Sequence, residues 1–457
     1  MKKISSLKIS ISGVRGIIGD SLTPQLAAAF AQAFGTYIGG GPVVVGQDAR
    51  PSGTMLKQAV VSGLLAVGCQ PVDVGICPIP SFLLLTGESR SSGGIAVTAS
   101  HNPKEWNGMK FISKDGLYLT SHQTEEFLDI YHQGEFYFVE PERYKGLKTE
   151  SNPAESHLRK LLSYFDVDRI RAKKFKVAID CSNGAGAVLA PRLLEALGCK
   201  PLFIHCLPEG AIAHHPEPHP ENIVEICRTV REGRADVGFV QDADADRLAV
   251  VDEKGEALGE ESTLALAAQY VLSKTPGPVV CNLSTTQAID DIAGRIGVPV
   301  VRTRIGEINV VERILAMEPR PVIGGEGNGG VIVPDIHPCR DSFAAMCVIL
   351  EYMAASGKRV SALQKSLPRY FMIKEKVSGS AEQAYRLINL LKKKYEGQGK
   401  MELLDGLKVR LKDHWIHVRP SNTEPIIRVI AEAKSREKAK SAIRRLKREI
   451  TALQRKI

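Results

Sequence analysis

Lys176-Val177-Ala178-Ile179-Asp180, followed by Cys181-Ser182 and then Asn183-Gly184-Ala185-Gly186, decides the fold class of this 457-residue chain. The apolar centre of the first five residues reads as a buried strand, the polar glycine-bearing exit breaks it, and a helical pattern follows. The same order occurs twice more. Val43-Val44-Val45-Gly46 exits through Gln47-Asp48-Ala49-Arg50-Pro51-Ser52-Gly53 into a helical pattern ending near Val67, and Val279-Val280 exits through Asn282-Leu283-Ser284-Thr285-Thr286 into another. Strand, polar exit and helix, three times over, predict three α/β units. Ligands of such sheets gather outside the strand ends, so chemistry is expected in the exits.

Around this frame, Thr23-Pro24 reads as an N-cap and first-turn proline opening a helix to about Tyr37, and Gly93–Thr98 as a further buried strand. The tail after about Tyr370 differs. Ser380 to Gln383 is a capping box for a helix ending near Tyr395, and Leu407–Leu411, Trp415–Val418 and Ile426–Ala431 read as strands. This is a small α+β domain. The expected boundaries fall near residues 155, 258 and 369, and no low-complexity linker separates the pieces, so they are expected to pack as one body.

Hydrophobic residues make up 44% and charged residues 24%, which excludes disordered and fibrous classes. No apolar run approaches the roughly 18 residues of a membrane helix. Met1-Lys2-Lys3 is basic but no apolar stretch follows, so a cytoplasmic protein is expected, without a membrane partner. The nine cysteines include no CxxC or CxxH pair of the kind that binds zinc, and read as reduced core fillers. Ten Lys/Arg against two Glu from Lys434 to Ile457 account for +8 of the formal +9. That segment reads as a helix capped by Ser435, with Ile443, Leu446, Ile450, Leu453 and Ile457 as a docked stripe and its cations solvated. Nucleic-acid binding is the weaker reading, because a basic face spread across a domain is missing.

Four polar segments can carry chemistry. Thr98-Ala99-Ser100-His101-Asn102-Pro103 places a serine at a strand exit, where a nucleophilic or phosphorylated serine belongs. Taken alone it reads as a turn. Asp242-Ala243-Asp244-Ala245-Asp246-Arg247 lies between the strand-like Val237–Val240 and Leu248–Val251. Three alternate carboxylates repel unless a cation sits among them, and oxygen-only ligation selects Mg²⁺ or Ca²⁺. An EF-hand is rejected because Arg247 stands at its glycine. Gly324-Gly325-Glu326-Gly327-Asn328-Gly329-Gly330 allows close backbone approach and offers groups for sugar hydroxyls, but a flexible hairpin competes. Arg419-Pro420-Ser421-Asn422-Thr423-Glu424-Pro425, with Arg428, reads as a phosphate cradle, with a polar turn as its rival.

Together and in this order, the four segments resemble the α-D-phosphohexomutases end to end. Ser12-Gly13-Val14-Arg15-Gly16, the Asp48–Gly53 segment, Asn107-Gly108-Met109-Lys110 and Asn183-Gly184-Ala185-Gly186 add to the likeness. The resemblance implies three α/β domains of similar topology plus a C-terminal α+β domain around a central cleft. Residues 1–155 would carry a phosphoserine loop, 156–258 a metal loop, 259–369 a sugar loop and 370–457 a phosphate loop. It implies phosphorylation at Ser100, with Mg²⁺ held by that phosphoryl group and by Asp242, Asp244 and Asp246. Lys110 would do acid/base work, Arg15 and Arg247 would stabilise charge in transfer, and His101 would support the serine loop. Glu326 and Asn328 would read sugar hydroxyls, and Arg419, Ser421, Asn422, Thr423 and Arg428 would grip the non-reacting phosphate. The implied reaction interconverts hexose 6- and 1-phosphates through a hexose bisphosphate, which also serves as activator.

Three departures stand out: Gly330 where the family often has histidine, Gly306-Glu307 in place of a glycine-histidine pair, and Ala243 where glycine is common. Glucosamine phosphate is the first expectation for substrate, with mannose and glucose phosphates as close alternatives. A non-catalytic sugar-phosphate binder is the alternative of another class, but it would have lost Ser100, a metal aspartate or a phosphate-loop arginine, and none is lost. The chain is expected to be a monomer or homodimer.

Overall fold

Gly41–Gln47 is the central strand that its apolar run predicts. It pairs in parallel with Gly93–Val97 on one side and Cys69–Ile76 on the other. The computed structural model containing it describes residues 7–10, 13–208, 211–421 and 426–454. It divides into two compact units, Met1–Tyr270 with Asn328–Gln364, and Val271–Gly327 with Lys365–Ile457.

In the first unit the sheet around Gly41–Gln47 has seven strands. Beyond Gly93–Val97 come Trp106–Ser113 and Gly13–Ile17, each antiparallel to its neighbour. The serine segment is therefore the turn between two antiparallel strands. Pro24–Tyr37 forms the expected helix, with Thr23 Oγ1 accepting from Leu26 N at 3.3 Å. It buries Phe30 and Phe34 against Phe111 and Phe127. Each fully buried ring contributes about 1.5–3 kcal/mol of transfer free energy.

A second sheet of the first unit runs Leu248–Val251, Val237–Gln241, Lys176–Asp180, Lys200–Ile204. Its first pair is antiparallel and the rest parallel, so the aspartate segment is the hairpin turn that the sequence indicates. Helix Ser342–Ser356 is buried almost all round and is capped by Asp341, whose Oδ1 accepts from Phe343 N and Ala344 N. Asp341 Oδ2 also meets His157 Nε2 at 2.8 Å, and His157 Nδ1 meets Ser81 Oγ at 2.8 Å. That Ser-His-Asp order is structural: Ser81 lies inside helix Ile79–Glu88 and is wholly buried, so no reactant reaches it.

In the second unit Val279–Asn282 pairs in parallel with Val300–Thr303 and Ile323–Glu326. An antiparallel sheet follows, in the order Phe371–Ser378, Ile426–Ala433, His414–Pro420, Leu407–Arg410, Lys400–Glu402. The capping box holds in both directions between Ser380 and Gln383, and its helix runs Ala381–Tyr395. Arg436–Gln454 is the basic helix. Ile443, Leu446 and Ile450 are buried with Ile427, Val429 and Ala431, Leu453 packs at the edge, and Ser435 Oγ accepts from Lys438 N. The stripe is thus core, as expected; Ile457 lies outside the described residues. Among the described residues no helix is long and apolar enough to cross a membrane, and no cysteine is in a disulfide.

Candidate active site

The strand Gly93–Val97 ends one residue before Thr98, and the chain turns sharply at Ser100, which adopts a left-handed φ of +51°. A non-glycine residue there costs roughly 1–2 kcal/mol and persists only if neighbours hold it. They do. Ser100 N donates to Thr98 Oγ1 at 2.9 Å, and Thr98 Oγ1 donates to Asp48 Oδ2 at 2.7 Å. Asp48 pairs with Arg50, whose Nη2 donates to the Ser100 carbonyl at 2.7 Å and the Asn102 carbonyl at 2.6 Å. Asp48 and Arg50 are both buried, and they clamp the turn from behind.

The clamp presents Ser100 Oγ to the aspartate hairpin, where it donates to Asp242 Oδ2 at 3.1 Å. Asp242, Asp244 and Asp246 are all fully buried, with carboxylate oxygens within 4.8 Å of one another. Asp242 Oδ1 accepts from Asp246 N and Arg247 N. Lys110 Nζ lies 2.9 Å from Asp244 Oδ2 and 3.8 Å from Asp246 Oδ2, and Arg340 pairs with Asp246. Even so, the buried Asp244 Oδ1 and Asp246 Oδ1 have no hydrogen-bond partner among the described residues. Burial, then Asp246 and Asp244, push Asp242 well above the usual carboxylate range. Burial pushes Asp244 up as well, but Lys110 outweighs it and holds that group low. Three dry carboxylates with two orphaned oxygens fit a hard divalent cation such as Mg²⁺.

The left-handed residue of this hairpin is Ala245, with φ +60°. The Ala243 departure therefore removes no freedom that the turn uses. Close approach is required opposite it, at Gly184, where a Cβ would stand 2.5 Å from the Ala243 carbonyl.

Arg15 and Lys110 reach the same region through strand register. Arg15 pairs with Gly108, and Lys110 follows two residues later on the same face. A Cβ on Gly108 would lie 2.4 Å from the Val14 carbonyl, so only glycine lets these strands close. Arg15 Nη1 donates to Asn102 Oδ1 at 2.9 Å. His101 Nδ1 is 3.3 Å from Ser100 Oγ. Burial, with Arg247, Arg15, Arg340 and Lys110 around it, holds His101 well below the usual imidazole range, so the ring is neutral. Arg247 Nη1 stands 3.5 Å from Glu217 Oε1. Asn328 Oδ1 accepts from Gly330 N at 3.2 Å. A side chain at 330 would meet Arg340 Cδ at 2.2 Å, so Arg340 fills the space that a histidine there would need.

The other expected residues belong to the second unit. Glu326 is buried, and its Oε1 accepts from Asn282 Nδ2 at 2.7 Å and Gly306 N at 3.0 Å. Arg419 and Arg428 sit directly opposite each other in the register of His414–Pro420 with Ile426–Ala433. Like charges in that position destabilise a sheet unless an anion compensates. Asp405 Oδ1 orients Arg419 through Nε at 3.0 Å, and Ser421 N closes the loop base on the Ile426 carbonyl. Asn422 and Thr423 lie outside the described residues.

Behind Arg419 is a buried cation that sequence reading passed over. Lys408 is 1% exposed, donates to the Leu283 carbonyl at 2.6 Å and lies 4.0 Å from the Trp415 ring centre. Burial first, then Arg302 and Arg410, lower it to about 7. Its folded value is therefore below its unfolded one, so the unfolded chain binds more protons between pH 7 and about 10. This group's contribution to stability should rise with pH across that window by a few kcal/mol. Urea unfolding of wild type against Lys408→Met, from pH 6 to 10, should show a difference that changes with pH; a constant difference would refute the lowering by burial.

Four domain models match along the chain, described as phosphoglucomutase/phosphomannomutase α/β/α domains I, II and III and C-terminal domain, at residues 7–138, 155–255, 260–371 and 375–449. The chain belongs to the phosphoglucomutase/phosphomannomutase family. A relative from Methanopyrus kandleri, named a probable phosphoglucosamine mutase, is 35% identical over 94% of this chain and 94% of its own. One from Thermococcus kodakarensis, named phosphoglucomutase/phosphomannomutase, is 38% identical over 94% and 95%. The crystal structure of a phosphoglucomutase/phosphomannomutase family protein from Burkholderia thailandensis matches with a TM-score of 0.82 and 27% identity, covering 97% of this chain and 98% of that one.

The chain is thus a phosphohexomutase of three α/β domains and one C-terminal domain. In this phosphohexomutase the structure brings Arg15, Ser100, His101, Lys110, Arg247 and the three aspartates together within the first unit. Sequence reading gave no role to the Asp48–Arg50 clamp, Arg340, Glu217 or Lys408. For Asp48 and Arg50 the sequence signal is an aspartate two residues before an arginine at a strand exit.

Proposed function

We propose that this phosphohexomutase interconverts hexose 6-phosphate and hexose 1-phosphate with Ser100 as phosphoryl carrier, and that glucosamine phosphate is its preferred substrate. The observation that carries the reading is the left-handed Ser100, clamped so that Oγ lies 3.1 Å from Asp242 in a dry three-carboxylate hairpin. Ser100 Oγ hands a phosphoryl group to the free hydroxyl of a bound sugar monophosphate. The resulting bisphosphate reorients and returns its other phosphoryl group to Ser100. Mg²⁺, held by Asp242, Asp244, Asp246 and a phosphoryl oxygen, would neutralise charge on the transferring group.

The chain's own groups do the rest. Lys110, whose Nζ lies between Asp244 and Asp246, is the proposed site of proton transfer, with the neutral His101 supporting Ser100 Oγ. Arg15 and Arg247 offset negative charge as it spreads. Glu326 and Asn328 read sugar hydroxyls, and Arg419, Ser421, Asn422, Thr423 and Arg428 hold the phosphate that is not reacting. The division near residues 155, 258 and 369 is part of the same reading.

Glucosamine is supported by relatives named for it, such as the Methanopyrus protein. The similarly related Thermococcus protein supports mannose and glucose as a second reading. The test is kcat/KM for glucosamine, mannose and glucose phosphates with Mg²⁺ and the matching bisphosphate. A clear preference for glucosamine phosphate is expected; equal or better use of another sugar overturns the substrate assignment and leaves the mutase intact.

Asp244→Asn should raise the Mg²⁺ concentration for half-activation at least roughly tenfold and lower kcat, as loss of one charged ligand from a hard-cation site implies. An unchanged metal titration would remove Asp244 from the site. Arg419→Ala should raise KM by roughly one to two orders of magnitude, the weight of a charge-assisted phosphate contact. Unaltered KM and kcat would take this loop out of the mechanism.

A further inference from the structure

A second group of metal-type ligands lies in the first unit, on residues that the mutase cycle does not use. Asp180 ends the strand Lys176–Asp180, and His205 follows the neighbouring parallel strand, whose Ile204 is opposite Asp180. His214 comes from the segment 211–217. Asp180 Oδ2 lies 3.2 Å from His205 Nδ1 and 3.1 Å from His214 Nε2, and the three ligand atoms are all within 4.8 Å of one another. A tetrahedral ion with bonds of about 2.0–2.1 Å has ligand edges of about 3.3 Å, and the two edges from Asp180 match it.

The outer nitrogens give an independent reason. His205 Nε2 faces Glu225 Oε2 at 3.6 Å, and His214 Nδ1 is 2.9 Å from the His215 carbonyl. A histidine that binds a metal through one nitrogen donates its other N–H to a carboxylate or carbonyl. The His214 ring is set up this way, and Glu225 stands just beyond hydrogen-bond reach of His205. Asp180, between the two rings, is 1% exposed. Asp180 Oδ1 accepts from Ser182 N at 2.8 Å, which fixes Oδ2 toward the rings. The histidine side chains are 25% and 18% exposed, so an ion can enter from solvent.

We propose that Asp180, His205 and His214 bind a divalent transition-metal cation of the zinc type, as a structural site separate from the aspartate hairpin. Two imidazoles and one carboxylate suit a borderline cation, whereas Mg²⁺ and Ca²⁺ take oxygen ligands. The ion joins two strand exits and the 211–217 segment. Its effect reaches the hairpin through Ser182, whose Oγ donates to the Gln241 carbonyl at 2.8 Å, and through Ala185 N on the Ala243 carbonyl at 2.8 Å. Spacing in the sequence did not reveal it, because the ligands come from three separate segments.

A rival lies next door. Cys181 and Cys206 each follow one of the ligands, and their sulfurs are 3.1 Å apart. The test is a Zn²⁺ titration of the full chain against a chromophoric chelator, with excess Mg²⁺ to cover the aspartate hairpin. Wild type is compared with His205→Gln, His214→Gln and Cys206→Ser, each checked for folding by its zinc-free melt. One Zn²⁺ per chain is expected, with affinity lowered at least roughly a hundredfold in each histidine variant and unchanged in Cys206→Ser. Zinc should raise Tm in wild type and not in the histidine variants. Co²⁺ bound to wild type should give a tetrahedral spectrum without thiolate charge transfer, a readout that stands even if a variant fails to fold. Wild-type affinity in either histidine variant, loss in Cys206→Ser, a thiolate band, or no stoichiometric zinc in the presence of Mg²⁺ would overturn the proposal.

Discussion

Ser100→Ala will leave a folded protein with turnover reduced by on the order of 10⁴-fold or more, the scale seen when a covalent carrier is removed. Alanine deletes the only atom that can accept and return a phosphoryl group in the proposed cycle. Little of the fold depends on that atom. Its contacts are one hydrogen bond to Asp242 and a 3.3 Å approach to His101, while the turn itself is held through the backbone by Thr98 and Arg50. The melting temperature should therefore stay near wild type. The check is a coupled assay with bisphosphate present, together with intact mass before and after incubation with hexose bisphosphate. Wild type should gain one phosphoryl group and the variant none. Activity within tenfold of wild type would exclude Ser100 as carrier.

Arg50→Met should produce the largest loss of stability of any single change considered, about 3–5 kcal/mol, because it strips one partner from a buried ion pair and leaves Asp48 charged and dry. It also removes the donor to the Ser100 and Asn102 carbonyls, which are left to find other partners. The left-handed turn then has less to oppose its strain. Activity should fall in the protein that remains folded. The double change Asp48→Asn with Arg50→Met should recover part of the stability and little of the activity, since it relieves the lone charge without rebuilding the clamp. Urea unfolding at neutral pH decides the matter: a loss below about 1 kcal/mol for Arg50→Met would show that the pair contributes nothing net.

Much of this was legible along the chain because the informative residues are neighbours in sequence. Thr98 to Pro103 and Asp242 to Arg247 each announce a strand exit and a charge pattern within six residues, and the Ser380–Gln383 capping box is local by nature. What was not legible depends on partners far away. Arg50 acts on the carbonyl of residue 100, Arg340 on Asp246, and Glu217 on Arg247; no spacing rule connects them. The strand Phe371–Ser378 escaped notice for another reason. It is half-exposed and carries Lys374, Glu375 and Lys376, so neither a buried run nor a clean alternation marks it. At the Ala243 departure the positive φ falls two residues on, at Ala245, because which residue of a hairpin turn takes a positive φ is set by the register of its strands.

The clamp behind Ser100 also assigns motion. A turn fastened at both carbonyl ends by one buried guanidinium is a fixed post, not an arm. Held so, the turn keeps Ser100 Oγ facing the aspartate hairpin. In the proposed cycle the two ends of the sugar have to visit that place in succession, so the half-turn between them falls to the bisphosphate and not to the serine loop.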